Sequence, residues 1–371
     1  MKYRRMPIEI EAPEEIGYGN IRHNLAESSM RDIKLGLLGI DWNEQILFYG
    51  DHRGRPDLKS LIVEGSAVLT PADVLVTAGA ATALFVVATT LLSEGDHLVV
   101  IRPNYGTNLE TPRAIGCAMT IVDLTFETGF QLPVEAIRSA ILPETKMISL
   151  TSPHNPTGVV FSEKAIQEII ELASSRGIRV LMDETYRYLN FQTALPAYAA
   201  EQNANVISIC SLSKAFGAPG IRMGWLINRD PKLMHQLLAA KEQIMISNSV
   251  IDEAIAAEIM KQRKTLLDKF HSHLRANFAI TQRWMKVHPH LEWVEPVAGA
   301  VGFPRIRSGV RVNLEPFYKQ LLEIRQTMVG PGHWFEQDDR HFRLGFGYPE
   351  QDELTGGLRH IDECLQQNLV R

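Results

Sequence analysis

Short apolar runs rich in β-branched residues alternate with helical patterns along the chain from residue 74 onward. The strand-like runs cover residues 74–77, 97–101, 119–123, 147–151, 178–183, 206–210 and 224–227. Stretches with apolar residues three and four positions apart, the spacing of one helix face, cover residues 56–64, 81–92, 163–175 and 232–244. Strands that are apolar on both faces are typical of parallel sheets covered by helices. The pattern therefore predicts an α/β fold, a three-layer sandwich around a mainly parallel seven-stranded sheet.

The pattern changes after residue 249. A long charged helical stretch covers residues 252–288, and short strand-like pieces follow at 291–296 and 302–306. The start of the chain also lacks the strand and helix alternation. A chain of 371 residues is longer than one hydrophobic core usually grows. We therefore expect a large domain over residues 46–249 and a smaller α+β domain formed by residues 1–45 and 250–371.

Composition narrows the class of protein. With 45% hydrophobic and 22% charged residues the chain is ordinary for a soluble globular protein, with no case for disorder or for a membrane partner. A net charge of −5, with Lys and Arg scattered along the chain, argues against nucleic-acid binding. Residues 1–5 lead into acidic residues rather than an apolar run, so we expect no signal peptide and a cytoplasmic location. Cys117, Cys210 and Cys364 are far apart, which favours reduced thiols over disulfides or a metal site.

Polar residues follow three neighbouring runs of the predicted sheet. Asn155 follows the strand at 147–151, Asp183 ends the strand at 178–183, and Lys214 comes shortly after the strand at 206–210. Taken singly, these are a turn residue, a cap and a solvated surface lysine. Ligands of parallel sheets collect at the carboxyl ends of the strands, so the three together predict one functional site.

The residue types at these positions suit a substituted pyridine with an aldehyde. The carboxylate of Asp183 can hold a ring nitrogen protonated, and the amide of Asn155 can donate to a phenolic oxygen. Tyr186, three residues after Asp183, can bring its hydroxyl to the same oxygen, although a buried structural tyrosine is the plain alternative. Lys214 lies among small and apolar residues that would desolvate its amine, and a desolvated amine can form an imine.

The same part of the chain offers groups for a phosphate. Ser211 and the forked donor Arg222 flank the lysine on either side. A strand also passes through a glycine into a predicted helix, where backbone amides point at an anion, at Gly79, Ala80 and Ala81. This glycine turn is weak evidence alone. It gains weight because it would lie at the same sheet edge.

A flat aromatic side chain completes the set. Tyr105 follows the strand at 97–101 and can stack on a planar ring, with core packing as the alternative. The chain then offers a partner for each of four groups: an aldehyde, a pyridine nitrogen, a phenolic oxygen and a phosphate. These are the groups of pyridoxal 5'-phosphate (PLP), which is the predicted cofactor. No metal is expected.

The motifs, taken in order, resemble the fold-type I PLP-dependent enzymes, and within them the class I and II aminotransferases, over residues 24–347. The resemblance rests on the Ser-x-Ser-Lys-x-Phe-Gly-x-x-Gly-x-Arg-x-Gly stretch at 211–224 and on His-Asn-Pro-Thr-Gly at 154–158. It implies that Lys214 forms the imine with the cofactor and that Asp183 and Tyr186 are further catalytic residues. It implies cofactor binding by Gly79, Ala80, Ala81, Tyr105, Asn155, Asp183, Tyr186, Ser211, Lys214 and Arg222.

Two further positions come mainly from the resemblance. Tyr49 is similar to a tyrosine that reaches the phosphate of a neighbouring subunit, which implies a homodimer with shared active sites. Arg343 is similar to the arginine that binds the substrate α-carboxylate, beside Asn155. Without the resemblance, Arg343 reads as a surface ion-pair residue.

The chain departs from the family pattern in its N-terminal loop. That loop usually carries a glycine and a proline against the substrate, but here residues 24–29 read Asn-Leu-Ala-Glu-Ser-Ser. Glu27 could meet a basic substrate side chain. Together with Tyr-Gly-Asp-His-Arg-Gly at 49–54, this loop is faintly similar to the capreomycidine synthases, family members that eliminate and cyclise an arginine derivative.

Three functions are compatible with these motifs to different degrees. The first is an aminotransferase that moves an amino group between an L-amino acid and a 2-oxo acid. The second is a PLP-dependent lyase, cyclase or decarboxylase that acts on an amino acid, including a basic one, with the same site. The third, the ligand-sensing domain of a transcription regulator, would need a helix-turn-helix segment ahead of the fold, and the start of the chain is too short for one.

Overall fold

The structure is a computed structural model that describes residues 1–192 and 195–370. Residue 371, the last of the predicted smaller domain, lies outside the described residues. The strands are β1 (His23–Asn24), β2 (Val74–Thr77), β3 (His97–Arg102), β4 (Ala118–Asp123), β5 (Thr145–Thr151), β6 (Arg179–Asp183), β7 (Val206–Ser211), β8 (Gly224–Ile227), β9 (Leu291–Glu292), β10 (Val301–Gly302), β11 (Arg305–Ile306), β12 (Thr327–Met328), β13 (Gly330–Pro331) and β14 (Phe342–Gly345). The helices are α1 (Pro7–Ile10), α2 (Pro13–Ile16), α3 (Pro56–Ile62), α4 (Gly79–Leu91), α5 (Thr107–Ile115), α6 (Val134–Ala140), α7 (Glu163–Ser175), α8 (Pro231–Glu242), α9 (Val250–Lys261), α10 (Arg263–Val287), α11 (Leu314–Lys319) and α12 (Gln351–Asn368).

A seven-stranded sheet forms the middle of the fold, in the order β2-β8-β7-β6-β5-β3-β4. Neighbouring strands from β4 to β7 run parallel, whereas β8 is antiparallel to both β7 and β2. Every strand of this sheet coincides with one of the seven predicted runs. The predicted mainly parallel sheet is therefore confirmed.

Helices cover both faces of the sheet. Along β3, Val99 and Ile101 pack with α6 and α7 on one face, whereas Leu98 and Val100 pack with α4 and α8 on the other. Each of these side chains contributes about 1.5–3 kcal/mol by leaving water. The continuous apolar runs in the sequence reflect this burial on both faces, which gives the predicted three layers.

The long helical stretch after residue 249 differs from the prediction. It is divided into α9 and α10, which meet at Gln262. The Gln262 side chain donates to the carbonyl of Leu38 at 3.2 Å and to Glu258 at 2.7 Å. The break thus coincides with a contact to a distant segment, which periodicity does not reveal. The pieces at 291–296 and 302–306 contain only the two-residue strands β9, β10 and β11.

The start of the chain packs against its last third. β1 pairs in parallel with β12, and the carbonyl of Leu25 accepts a hydrogen bond from the Gly345 amide of β14 at 2.7 Å. The Met30 amide then donates to the carbonyl of Lys214 at 2.8 Å. These contacts bring residues 26–32 to the carboxyl ends of the central strands. Within the described residues, no helix combines the length and the apolar character needed to cross a membrane.

Candidate active site

A cavity of about 540 Å³ lies at the carboxyl ends of β5, β6 and β7. The last residue of each of these strands lines it: Thr151, Asp183 and Ser211. Most of the predicted site residues also line it, namely Glu27, Ala80, Ala81, Tyr105, Asn155, Asp183, Tyr186, Ser211, Lys214, Arg222 and Arg343. The sequence motifs therefore meet in one place.

One end of the cavity is suited to an anion. α4 begins at Gly79, and no described side chain caps its first turn, so its amides can bind a ligand instead. Gly79 has φ +84°, and a Cβ at this position would lie 2.8 Å from Nη2 of Arg222. The other end of that guanidinium, Nη1, donates to the carbonyl of Pro219 at 2.9 Å. Helix amides, a fixed guanidinium and the Ser211 hydroxyl therefore face the same space.

A buried carboxylate lies deeper in the cavity. Asp183 ends β6, and its Oδ1 accepts from the amide of Thr185 at 3.0 Å and from the Thr185 hydroxyl at 2.6 Å. Burial raises the pKa of Asp183, while these hydrogen bonds and the charge of Lys214 oppose the shift. A buried carboxylate of this kind gains from a cationic partner.

Lys214 lies in the loop after β7, with its backbone fixed from the start of the chain. Its carbonyl accepts from Met30, and the carbonyl of Gly217 accepts from Ile33, both at 2.8 Å. Gly217 has φ +55°, and a Cβ there would lie 2.1 Å from the carbonyl oxygen of Arg31. Only glycine fits at this close approach between the Lys214 loop and the backbone of Arg31. The contact therefore fixes the path of the Lys214 loop.

Three polar side chains surround the middle of the cavity. Tyr186 donates to the hydroxyl of Ser28 at 2.8 Å. Tyr105 donates to the carboxylate of Glu9 at 3.0 Å. Asn155 is buried, and its Oδ1 accepts from Arg343 at 3.3 Å. Both tyrosine rings pack against the hydrophobic core, and both also line the cavity.

Arg343 is a buried cation. It is 5% exposed and donates from Nε and Nη2 to the carbonyl of Ala26 at 3.1 and 2.6 Å. Its guanidinium also lies 5.7 Å from the ring centre of Trp334. Burial lowers the pKa of Arg343, and among the described residues no carboxylate forms a salt bridge with it. The alternative of a surface ion-pair residue is therefore wrong, since β14 is covered by the N-terminal segment.

The structure also places residues that the sequence does not single out. The cavity is lined by Glu9, Glu14, Tyr18, Asp32, Trp334 and Tyr348. They come from segments without a strand-to-helix motif, so no local pattern marks them. Tyr49, in contrast, lies outside this cavity and is 80% exposed.

The donor set fits PLP. The uncapped helix start, Ser211 and Arg222 suit a phosphate, and the buried Asp183 suits a ring nitrogen. Lys214 is the lysine of the cavity lining and suits an aldehyde. The described residues contain no cluster of three His, Cys, Asp or Glu side chains that could hold a metal ion.

A three-layer α/β sandwich with these groups at its strand ends is a fold-type I PLP-dependent enzyme. The sequence profile of aminotransferase class I and II matches residues 18–361, and the chain belongs to this family. It is 28% identical to a probable aspartate/prephenate aminotransferase of Aquifex aeolicus, over 86% of this chain and 84% of the relative. It is 26% identical to the capreomycidine synthase of Streptomyces vinaceus, over 92% of this chain and 87% of that protein.

A solved structure of a PLP-dependent aminotransferase is also similar to this chain. The crystal structure of a PLP-dependent aminotransferase from Streptococcus suis 89-1591 is similar with a TM-score of 0.92 at 28% identity, covering 100% of both chains. The predicted family, fold type and cofactor are thereby confirmed.

Proposed function

We propose that this protein is an aminotransferase that moves an amino group between an L-amino acid and a 2-oxo acid, with Lys214 as its central catalytic residue. The observation that carries the proposal is the convergence of Lys214, Asp183 and Arg343 on one cavity. PLP and an amino acid together need an amine, a buried acid and a cation, and this cation has no salt bridge to a carboxylate among the residues that the structure describes.

The cofactor's contacts follow from the chemistry of each wall. The phosphate is bound by Ser211, Arg222 and the start of α4, at Gly79, Ala80 and Ala81. Asp183 pairs with the ring nitrogen, and Thr185 is a positioning residue for its carboxylate. Asn155 and Tyr186 bind the phenolic oxygen, and Tyr105 stacks on the ring.

The chain's own residues then move one proton. When bound, PLP supplies an aldehyde and a cationic ring that withdraws electrons from the substrate Cα. Asp183 holds a proton on the ring nitrogen. The Lys214 amine would accept the proton from the substrate Cα and deliver it to the carbon of the cofactor's aldehyde group, a general acid–base role that contributes about a hundred- to ten-thousandfold.

The substrate is held by its carboxylate. Arg343 presents a planar guanidinium that can bind an α-carboxylate through two parallel hydrogen bonds, next to Asn155. Glu27 lines the same cavity and faces the substrate side chain.

The test is a cofactor assay on the purified protein. Single L-amino acids should convert the cofactor to its pyridoxamine form and release the matching 2-oxo acid. Mass spectrometry after borohydride reduction should find the pyridoxyl group on Lys214, and Lys214→Ala should lack it. An adduct on another lysine, or no conversion with any amino acid, would remove the proposal.

The second candidate is a PLP-dependent lyase, cyclase or decarboxylase. The observation in its favour is the similarity to a capreomycidine synthase over 92% of this chain. The same assay separates the two reactions, because elimination releases a product while the cofactor stays in its aldehyde form. Ammonia or carbon dioxide in place of a 2-oxo acid would support this candidate.

We also propose a homodimer with shared active sites. The segment 46–49 exposes four consecutive large apolar side chains, at 61 to 80% of their surface: Ile46, Leu47, Phe48 and Tyr49. Such a patch favours burial against another surface. In the dimer, Tyr49 reaches the phosphate of the neighbouring subunit. Light scattering should give twice the chain mass, and Leu47→Glu should return a monomer.

The domain boundaries and the location are proposals too. The large domain covers residues 46–249, and the smaller one combines residues 1–45 with 250–371, a pairing that the β1–β12 ladder supports. The cytoplasmic location stays a prediction.

A further inference from the structure

One side of the cavity carries three carboxylates. Glu14, Glu27 and Asp32, here called the acidic wall, all line it. All three lie close enough to the Tyr18 hydroxyl to raise its pKa, together with burial, which is the larger cause. Tyr348 also lines the cavity, and burial together with the nearby charges of Asp32 and Glu27 raises its pKa, which places a second aromatic ring at the same wall.

No salt bridge neutralises the acidic wall within the part of the chain that the structure describes. Arg31, the arginine of this segment, is held by Glu353 at 2.8 Å and by Glu350 at 3.3 Å. The neighbouring Glu15 pairs with Arg5 at 3.1 Å, away from the cavity lining. No salt bridge to Glu14 or Glu27 is found among the described residues. Burial raises the pKa of Asp32 and outweighs the charges of Lys214 and Arg31, which lower it. Lys214 is reserved for the cofactor, and Arg31 is held by the two glutamates.

The same cavity also contains a positively charged side chain. Arg343 is buried without a carboxylate partner among the described residues, and it is held by the carbonyl of Ala26. Glu27 is the next residue along the chain. The charges of Glu27 and Glu9 oppose the fall that burial causes in the pKa of Arg343, but neither forms a salt bridge with Arg343 among the described residues. The lining therefore changes from a cation to carboxylates over one residue, and a single ligand that pairs with both must carry an anion and a cation.

The charged groups of the bound cofactor and of the substrate backbone do not neutralise the negative charge of the acidic wall. Under the proposed function, Arg222 meets the phosphate, Asp183 meets the ring nitrogen, Lys214 meets the aldehyde, and Arg343 meets the α-carboxylate. The α-amino group reacts with the cofactor. Only the substrate side chain is left to face the acidic wall.

We propose that the amino acid substrate carries a cationic side chain, a guanidinium or an ammonium, recognised by Glu27 and Asp32 with Glu14 at the rim. This inference rests on the proposed function of the site. Opposite charges attract strongly in a partly desolvated cavity, and like charges repel by the same law. Dicarboxylic amino acids and dicarboxylic 2-oxo acids are therefore poor substrates.

The test compares amino acids of equal shape and different charge. With the holoenzyme, kcat/KM is measured for L-arginine against L-citrulline and for L-lysine against L-norleucine. The cationic member of at least one pair should exceed its neutral partner by about tenfold or more. L-glutamate should fall below L-glutamine. Titration calorimetry on the pyridoxamine form, which does not react with amino acids, should give the same order of affinities.

Variants test whether the preference for a cationic substrate comes from the acidic wall or from the overall charge near the cavity. In Glu27→Gln the cationic-to-neutral ratio should fall about tenfold, and Asp32→Asn serves as the second variant should the first not fold. Glu15→Gln removes the same charge nearby but outside the cavity lining, so the ratio should persist. Neutral amino acids favoured or equal in both pairs, or an unchanged ratio in both wall variants, would overturn the inference. Failure of every amino acid to convert the cofactor would instead remove the proposed function.

Discussion

The guanidinium of Arg222 occupies the space that a side chain at Gly79 would need. A Cβ built on Gly79 would lie 2.8 Å from Nη2 and 3.3 Å from Cζ of Arg222. The glycine thus lets the first turn of α4 and the arginine approach the same anion. Under the proposed function, the phosphate end of the site depends on the absence of one methyl group at residue 79.

Gly79→Ala should therefore weaken cofactor binding. The methyl group displaces Arg222, and we expect the dissociation constant for PLP to rise about tenfold or more. The positive φ of residue 79 adds a stability cost of about 1 kcal/mol. Gly65→Ala is the matched control, because Gly65 has φ +89° with nothing near its Cβ. It should lose similar stability and keep its PLP affinity, as measured by fluorescence titration. Equal PLP affinity in both variants would contradict the steric argument.

Asp183→Asn should separate cofactor binding from catalysis. The amide keeps a carbonyl oxygen for the Thr185 hydrogen bonds but cannot hold a cationic ring nitrogen. We expect the variant to bind PLP and the first half-reaction to slow by more than about a hundredfold. Thr185→Val keeps the carboxylate and removes one hydrogen bond, so it should slow the reaction far less. Equal losses in stopped-flow absorbance would show that the charge is unimportant.

The parts of the site that the sequence predicts are those encoded locally. Asp183 and Lys214 each follow an apolar strand, so their position at the sheet edge comes directly from the strand pattern. Glu27 is expected only from the departure of its loop from the family pattern. Asp32 is different, because it reaches the cavity through the pairing of β1 with β12 and the Met30 contact to the Lys214 loop, and no sequence motif singles it out. Contacts between distant segments have no periodicity to read.

The burial of Arg343 also depends on a contact between distant segments of the chain. The expectation of a surface ion-pair residue is wrong because the N-terminal segment covers β14. The break at Gln262 likewise depends on the carbonyl of Leu38. Secondary structure in the central sheet follows from local burial, whereas the closing of the cavity is a tertiary effect.

Glu184 should make the stability of the cofactor-free protein depend on pH. Burial raises its pKa from 4.5 to about 7. Between these pH values the unfolded chain ionises the group and the folded chain does not, so the folded state loses relative stability as pH rises. The loss amounts to about 3 kcal/mol and is absent below pH 4.5.

The measurement is a comparison with Glu184→Gln. The free energy of unfolding of both proteins is determined by urea denaturation from pH 4.5 to above 7. The variant should gain about 3 kcal/mol relative to the natural protein across this window. The difference between the two curves removes the contributions of the other titrating groups. Curves that stay parallel over this pH range would refute the assignment to Glu184.

Arg343 should contribute to substrate binding and little to stability. A buried cation without a carboxylate partner costs desolvation that the folded protein alone does not recover. Arg343→Met removes this cost but leaves the Ala26 carbonyl without its donor, so the two effects oppose each other and the free energy of unfolding of the cofactor-free protein should change little. Under the proposed function the same change removes the guanidinium that binds the substrate carboxylate, and kcat/KM should fall roughly a hundredfold. Amines that lack a carboxylate should lose little, because they never used this contact.

Arg340→Met is the matched control for Arg343→Met. Its guanidinium donates to the carbonyls of Ile306, Arg307 and Val310 at 3.1, 2.7 and 2.9 Å, outside the cavity lining. Removing it leaves three buried or half-buried carbonyls without their donor, so stability should fall by about 1–3 kcal/mol with KM unchanged. The two arginines, three residues apart, should thus show opposite effects: one on binding, the other on folding. A loss of stability in Arg343→Met equal to that in Arg340→Met, with no selective loss for carboxylate substrates, would assign Arg343 a structural role instead.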